Sequence, residues 1–87
     1  MLRNFEGQTP EIEYPAEWTF KVVGRSVEIL EIAVSTHVAR EYELRASKTS
    51  RTGKYVSLEL ILTVTSDEDR RTLGQLLHDD ERVLFVF

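Results

Sequence analysis

A chain of 87 residues with 11 basic and 15 acidic side chains, net charge −4, has room for one hydrophobic core and no second domain. Hydrophobic residues at 41% and charged residues at 30% describe a folded domain and exclude a disordered chain, and the absence of cysteine excludes disulfides, thiolate metal sites and cysteine nucleophiles. The acidic balance argues against nucleic acid as a partner, and no segment has the make-up of a signal peptide or a membrane span, so a cytoplasmic location without membrane contact is expected.

Residues 1–16, with Gly7, Pro10 and Pro15 among polar neighbours, read as a flexible N-terminal arm, and residues 17–87 as a single domain. Residues 17–23 alternate as a strand, with Trp18, Phe20 and Val22 on one side and Thr19, Lys21 and Val23 on the other. Gly24 ends it, through the backbone angles open to glycine. Ser26 is placed to cap a helix reaching about residue 39, whose core stripe is Val27, Leu30, Val34 and Val38. Ile29, Ile32 and Ala33 widen that stripe beyond what one sheet face needs, leaving apolar surface for the arm or a second copy.

A second strand spans residues 41–48 and a turn spans 49–54, with Gly53 as its positive-φ residue. The third strand, residues 55–65, turns Val56, Leu58, Leu60, Leu62 and Val64 to one side and Tyr55, Ser57, Glu59, Ile61 and Thr63 to the other. Ser66 and Asp69 have capping-box spacing for a second helix to about residue 78, in which Leu73, Leu76 and Leu77 share a face. Residues 83–87 form the last strand. The order β-α-β-β-α-β predicts an α+β, ferredoxin-like sandwich: a four-stranded antiparallel sheet with two helices on one face, the first and third strands central and the other face bare.

The run Glu13-Tyr14-Pro15 followed by Trp18-Thr19-Phe20-Lys21-Val22-Val23-Gly24 resembles the opening of the YbeD-like family of small bacterial proteins of unknown function. Ser50, Gly53, Tyr55 and Ser57 resemble that family's Ser-x-x-Gly-x-Tyr-x-Ser pattern, and Thr72-Leu73, Leu77, Val83, Phe85 and Phe87 fall at its apolar helix and strand positions. The resemblance covers residues 13–87. It departs in a first helix about one turn shorter, and in Asp67, Arg70 and Gly74 where the family tends to be apolar or aromatic. It implies a ferredoxin-like fold similar to the ACT regulatory domains, which bind amino acids, often across subunit interfaces. It implies no catalytic residues.

Nothing in the residue pattern assembles a reaction centre. His37 and His78 each stand alone near the end of a predicted helix, where a cation suits the helix dipole. The acidic runs at 67–69 and 79–81 read as helix capping and a solvated turn rather than a cation site. There is no Gly-x-Ser-x-Gly elbow and no phosphate-cradling glycine loop. The expectation is a protein that is not an enzyme and carries no cofactor or metal.

Two surfaces stand out for binding. Arg45, Lys48, Arg51 and Lys54 fall in ten acid-free residues, with Tyr55 and several hydroxyls, and would suit a phosphate, a carboxylate or an acidic partner. The bare sheet face should show Lys21, Val23, Ser57, Glu59 and Ile61, with Thr19 and Thr63, and Leu84 with Val86 from the last strand. Lys21 and Glu59 would meet there across the central strands. Tyr55 is the only ring expected nearby, so base stacking as on RNA-binding sheets is not expected. The leading reading is a non-enzymatic module that binds a protein partner or a second copy through the sheet face and the wide first-helix surface. The second is an ACT-like regulatory domain that takes a small metabolite or anion at the backbone N–H groups of residues 24–26.

Overall fold

Strict alternation in the third strand organises the molecule, because it hands one side of the sheet an unbroken aliphatic row. The computed structural model describes residues 12–49 and 53–87. Its strands β1 (Ala16–Gly24), β2 (Tyr42–Thr49), β3 (Val56–Val64) and β4 (Phe85–Val86) form one antiparallel sheet in the order β2-β3-β1-β4. Helices α1 (Val27–His37) and α2 (Asp67–Asp79) pack on one side, giving the expected ferredoxin-like β-α-β-β-α-β sandwich. β1 and β3 are central and pair along their whole lengths, from Ala16 opposite Val64 to Gly24 opposite Val56.

The core is the layer between this side of the sheet and the helices. Phe20 and Val22 of β1 and Leu58, Leu60, Leu62 and Val64 of β3 meet Leu30, Ala33 and Val34 of α1 and Leu73 and Leu77 of α2. Each large side chain buried here contributes about 1.5–3 kcal/mol. Tyr14 and Trp18 pack at the margin of this layer. Both helices begin as their serines predict. The Ser26 hydroxyl accepts the Ile29 N–H at 3.2 Å, and the Ser66 hydroxyl accepts that of Asp69 at 2.9 Å.

Several local expectations are corrected. Val27 is 40% exposed, and Ala33 completes the α1 stripe. A side chain at the first helical position leans back past the helix end, where no turn of α1 lies over the sheet. Leu76 is also largely exposed, since about 100° per residue swings it a quarter turn from Leu77. Gly24 does not adopt a positive φ; among the described residues only Gly53 does, at +72°. Gly24 is needed for space: a Cβ there would lie 2.6 Å from Leu30 Cδ2 and 3.2 Å from the Arg82 carbonyl oxygen.

The Ser66–Asp69 capping box is half made. The Asp69 carboxylate accepts the Thr65 N–H at 2.9 Å instead of reaching back to Ser66, because both its oxygens are held by the Arg40 guanidinium at 2.7 and 2.8 Å. The last strand is inverted relative to expectation. Val83 is buried, the chain bends at Leu84, and Val86 faces Val22 and the core. Phe85 and Phe87 therefore turn to the bare side, in place of Leu84 and Val86.

Candidate functional site

Along the bare side, strand register sets the side chains in rows. Arg45 lies opposite Glu59, which lies opposite Lys21. Lys21 exchanges two backbone hydrogen bonds with Phe87, at 3.0 and 2.9 Å, so the row reads cation, anion, cation, ring across all four strands. The next row holds Ser57, Val23 and Phe85, and on the other side Glu43, Ile61 and Thr19 follow. Val23, Ser57, Glu59 and Ile61 are half-buried and Lys21 is exposed. The predicted open-face residues Lys21, Val23, Ser57, Glu59 and Ile61 thus do come together.

What sequence reasoning missed are the two rings. Phe85 and Phe87 are 58% and 72% exposed and stack with centroids 6.4 Å apart and planes 12° apart. Their alternation was visible in the sequence; the face they occupy depends on the bend at Leu84. Tyr55 is accordingly not the only ring near this surface.

The basic hairpin is divided. Arg45 belongs to the open face, where its Nε donates to the Glu43 carboxylate at 2.8 Å. Both groups are more than half exposed, so the pair adds little to stability. Lys54 and Tyr55 are exposed beyond the Gly53 turn. Arg51 and the side chain of Lys48 lie outside the described residues, so the cluster as a whole is not placed.

His37 is not isolated, contrary to expectation. Its Nε2 lies 2.8 Å from Asp80 Oδ2, and the Asp80 side chain is only 6% exposed. The same carboxylate accepts Arg82 Nε at 2.9 Å, Arg82 Nη2 at 2.7 Å and the Arg82 backbone N–H at 2.8 Å. The Arg82 guanidinium, helped by that N–H and by His37, holds Asp80 well below the usual carboxylate range although burial pushes the other way. A carboxylate with its lone pairs so occupied clamps the end of α1 to the loop before β4 and is a poor proton acceptor. The neighbouring Thr36 hydroxyl donates to the Ile32 carbonyl at 2.7 Å and is not aligned on the histidine as a nucleophile. His78 is exposed beside Asp79.

At the other end, Arg40 holds Asp69 below the usual carboxylate range, aided by the Thr65 N–H. Nearby, the Tyr14 hydroxyl donates to Asp67 at 3.2 Å, Arg70 also binds Asp67, and the Arg70 guanidinium lies 4.6 Å from the Trp18 ring centroid. In the 24–26 loop the Ser26 hydroxyl is committed to its cap, and the space beside Gly24 is filled by Leu30 and the Arg82 carbonyl. Among the described residues, no three histidine or acidic side chains are grouped to hold a metal ion, and no helix is long and apolar enough to cross a membrane.

Comparison with known proteins agrees with this fold and adds no activity. Residues 9–87 match a family described as "Protein of unknown function (DUF493)". An uncharacterised protein of Campylobacter jejuni, Cj0253, is 39% identical over 62 residues, which is 70% of this chain and 71% of that one. Two solution structures of protein HP0495 from Helicobacter pylori share the fold. One has a TM-score of 0.80 at 21% identity, covering 94% of this chain and 91% of its own. The other has a TM-score of 0.63 at 22% identity, covering 91% and 93%. The chain belongs to the DUF493 family, which is the YbeD-like family of the sequence resemblance.

Proposed function

We propose, for this member of a family of unknown function, a cytoplasmic, non-catalytic binding module that associates through the open face of its sheet, with a second copy of the chain as the partner it fits. The observation that carries the reading is the exposed Phe85–Phe87 stack at the end of the Arg45, Glu59, Lys21 row. A phenylalanine ring taken out of water contributes on the order of 2–3 kcal/mol, so two rings side by side are an anchor for docking.

The row is also complementary to itself. Laid antiparallel on a second copy, it sets Glu59 against the partner copy's lysine and Arg45 over the partner copy's terminal ring, and the two-fold axis repeats both contacts. The saturation of Asp80 supports a role without catalysis. Support for the metabolite-binding alternative is weaker, because the space beside Gly24 is filled.

The test is a sedimentation series up to millimolar protein. Wild type should associate as concentration rises, and the Phe85→Ser, Phe87→Ser double variant should stay monomeric with unchanged circular dichroism. A wild-type monomer throughout overturns the reading.

A further inference from the structure

The sheet has a second unsatisfied feature, its edge. β1 is nine residues long, yet β4 covers it only from Lys21 to Val23: Phe87 bonds to Lys21, and Leu84 N–H donates to the Val23 carbonyl at 2.7 Å. Backbone groups alternate sides along an antiparallel strand, so the N–H and C=O of Glu17 and Thr19 point the same way as those of Lys21, away from β3. Among the described residues no strand runs beside them. On the helix side of this edge a groove opens between α2 and the sheet. Phe20 and Val86 line it from the sheet, Phe87 borders it at the edge, and Arg70, Arg71, Gly74 and His78 line it from α2. The absence of a side chain at Gly74 lets the Phe20 ring pack against α2, where a Cβ would lie 3.3 Å from the ring, so Phe20 forms the floor of the groove.

The charge of the rim selects an occupant. Arg70 and Arg71 share one carboxylate, Asp67, so the rim keeps a net positive charge on a chain that is acidic overall. Arg70 Nε is buried and makes no hydrogen bond among the described residues. We propose that the uncovered edge of β1 at residues 17–19 receives an extended acidic peptide of a partner protein, added antiparallel to β1 and in line with β4. Residues of that peptide opposite Thr19 and Glu17 exchange backbone bonds with them. The residue opposite Phe20 is apolar and enters the groove over the Phe20 ring, and the residue opposite Trp18 is acidic and faces Arg70 and Arg71. This edge is distinct from the open face and does not depend on self-association.

The probe is the pentapeptide Val-Thr-Glu-Thr-Val, titrated to millimolar concentration into isotope-labelled full-length protein. Shifts are expected at the amides of Glu17 and Thr19 and along residues 70–78, with slowed hydrogen exchange at Glu17 and Thr19. The glutamine version of the peptide should bind about fivefold more weakly, as expected for one partly exposed ion pair. Thr19→Pro removes an outward N–H without breaking a β1–β3 bond and should abolish the shifts, and the Arg70→Gln, Arg71→Gln double variant should erase the difference between the two peptides. The proposal is overturned by an unmoved spectrum. It is equally overturned by shifts confined to Ser57, Ile61 and Phe85, or by a Thr19 amide already protected in free protein and exposed on deletion of residues 1–11, which would make the chain its own occupant. Sedimentation reads the open face separately, so either result stands without the other.

Discussion

The two sides of this sheet are built from the same strands and obey different rules. On the helix side, β1 and β3 contribute aliphatic and aromatic side chains that are almost wholly buried. One residue along each strand, the open side carries Thr19, Lys21, Val23, Ser57, Glu59 and Ile61, a mixture with no apolar continuity until Phe85 and Phe87. The helix side therefore holds the stability. The open side is free to vary in composition, so an exposed stacked pair of rings there calls for a binding explanation more than a packing one.

Neighbouring residues on β3 give the largest test of that contrast. Leu60→Ala empties a fully buried site and should cost about 2–5 kcal/mol in urea unfolding, whereas Ile61→Ala, facing the other way, should cost less than about 1 kcal/mol. Comparable costs would mean that the open face is covered in solution.

Packing beneath the helix gives the next effect. Gly24→Ala drives a methyl into Leu30 and should destabilise by about 1–3 kcal/mol. At Gly53, where nothing lies within 4 Å, alanine meets only backbone strain, and about 1 kcal/mol is expected. Equal Tm losses for the two variants would contradict the close approach at Gly24.

Asp80→Ala, which frees the Arg82 and His37 side chains, should cost about 2 kcal/mol. The carboxyls of Asp69 and Asp80 are both depressed in the folded state, so their contribution is complete above the unfolded carboxylate value of about 3.9 and is lost as pH falls below it. The stability that these two carboxylates supply should fall steeply on acidification below about pH 4. Asp80→Ala should flatten that fall, which denaturant midpoints at several pH values would show.

The smallest expected effect on folding is the most informative about function. Lys21→Ala should change stability by less than about 0.5 kcal/mol, yet weaken the concentration-dependent association, because it removes a charge from the central row. If association is unchanged while the Phe85→Ser, Phe87→Ser variant abolishes it, the rings act alone and the charged row is only solvated surface.

Much of this was legible in the chain. Leu58, Leu60, Leu62 and Val64 announce a strand with one buried side, Ser26 and Ser66 announce two helices, and the order of elements admits one economical sandwich. Lys21 and Glu59 could be placed together from the sequence, because both occupy the same face of paired central strands. The His37–Asp80 clamp could not, since 43 residues separate its partners and neither position is unusual by itself. Nor could the half-made cap at Asp69, whose carboxylate is claimed by an arginine 29 residues away. The acid-free hairpin looked like one cluster in sequence, whereas β2 sends Arg45 across the sheet toward Glu59.

Local periodicity and capping chemistry, which act over one to four residues, are complete in the amino-acid sequence. They determined the elements, their order, the buried row of β3 and the existence of a bare side. Which way Phe85 and Phe87 point and which charges are neutralised depend on a bend at Leu84 and on groups brought together from distant parts of the chain. Those contacts arise only when the layers close, so the tertiary structure alone decided what the surface offers to a partner.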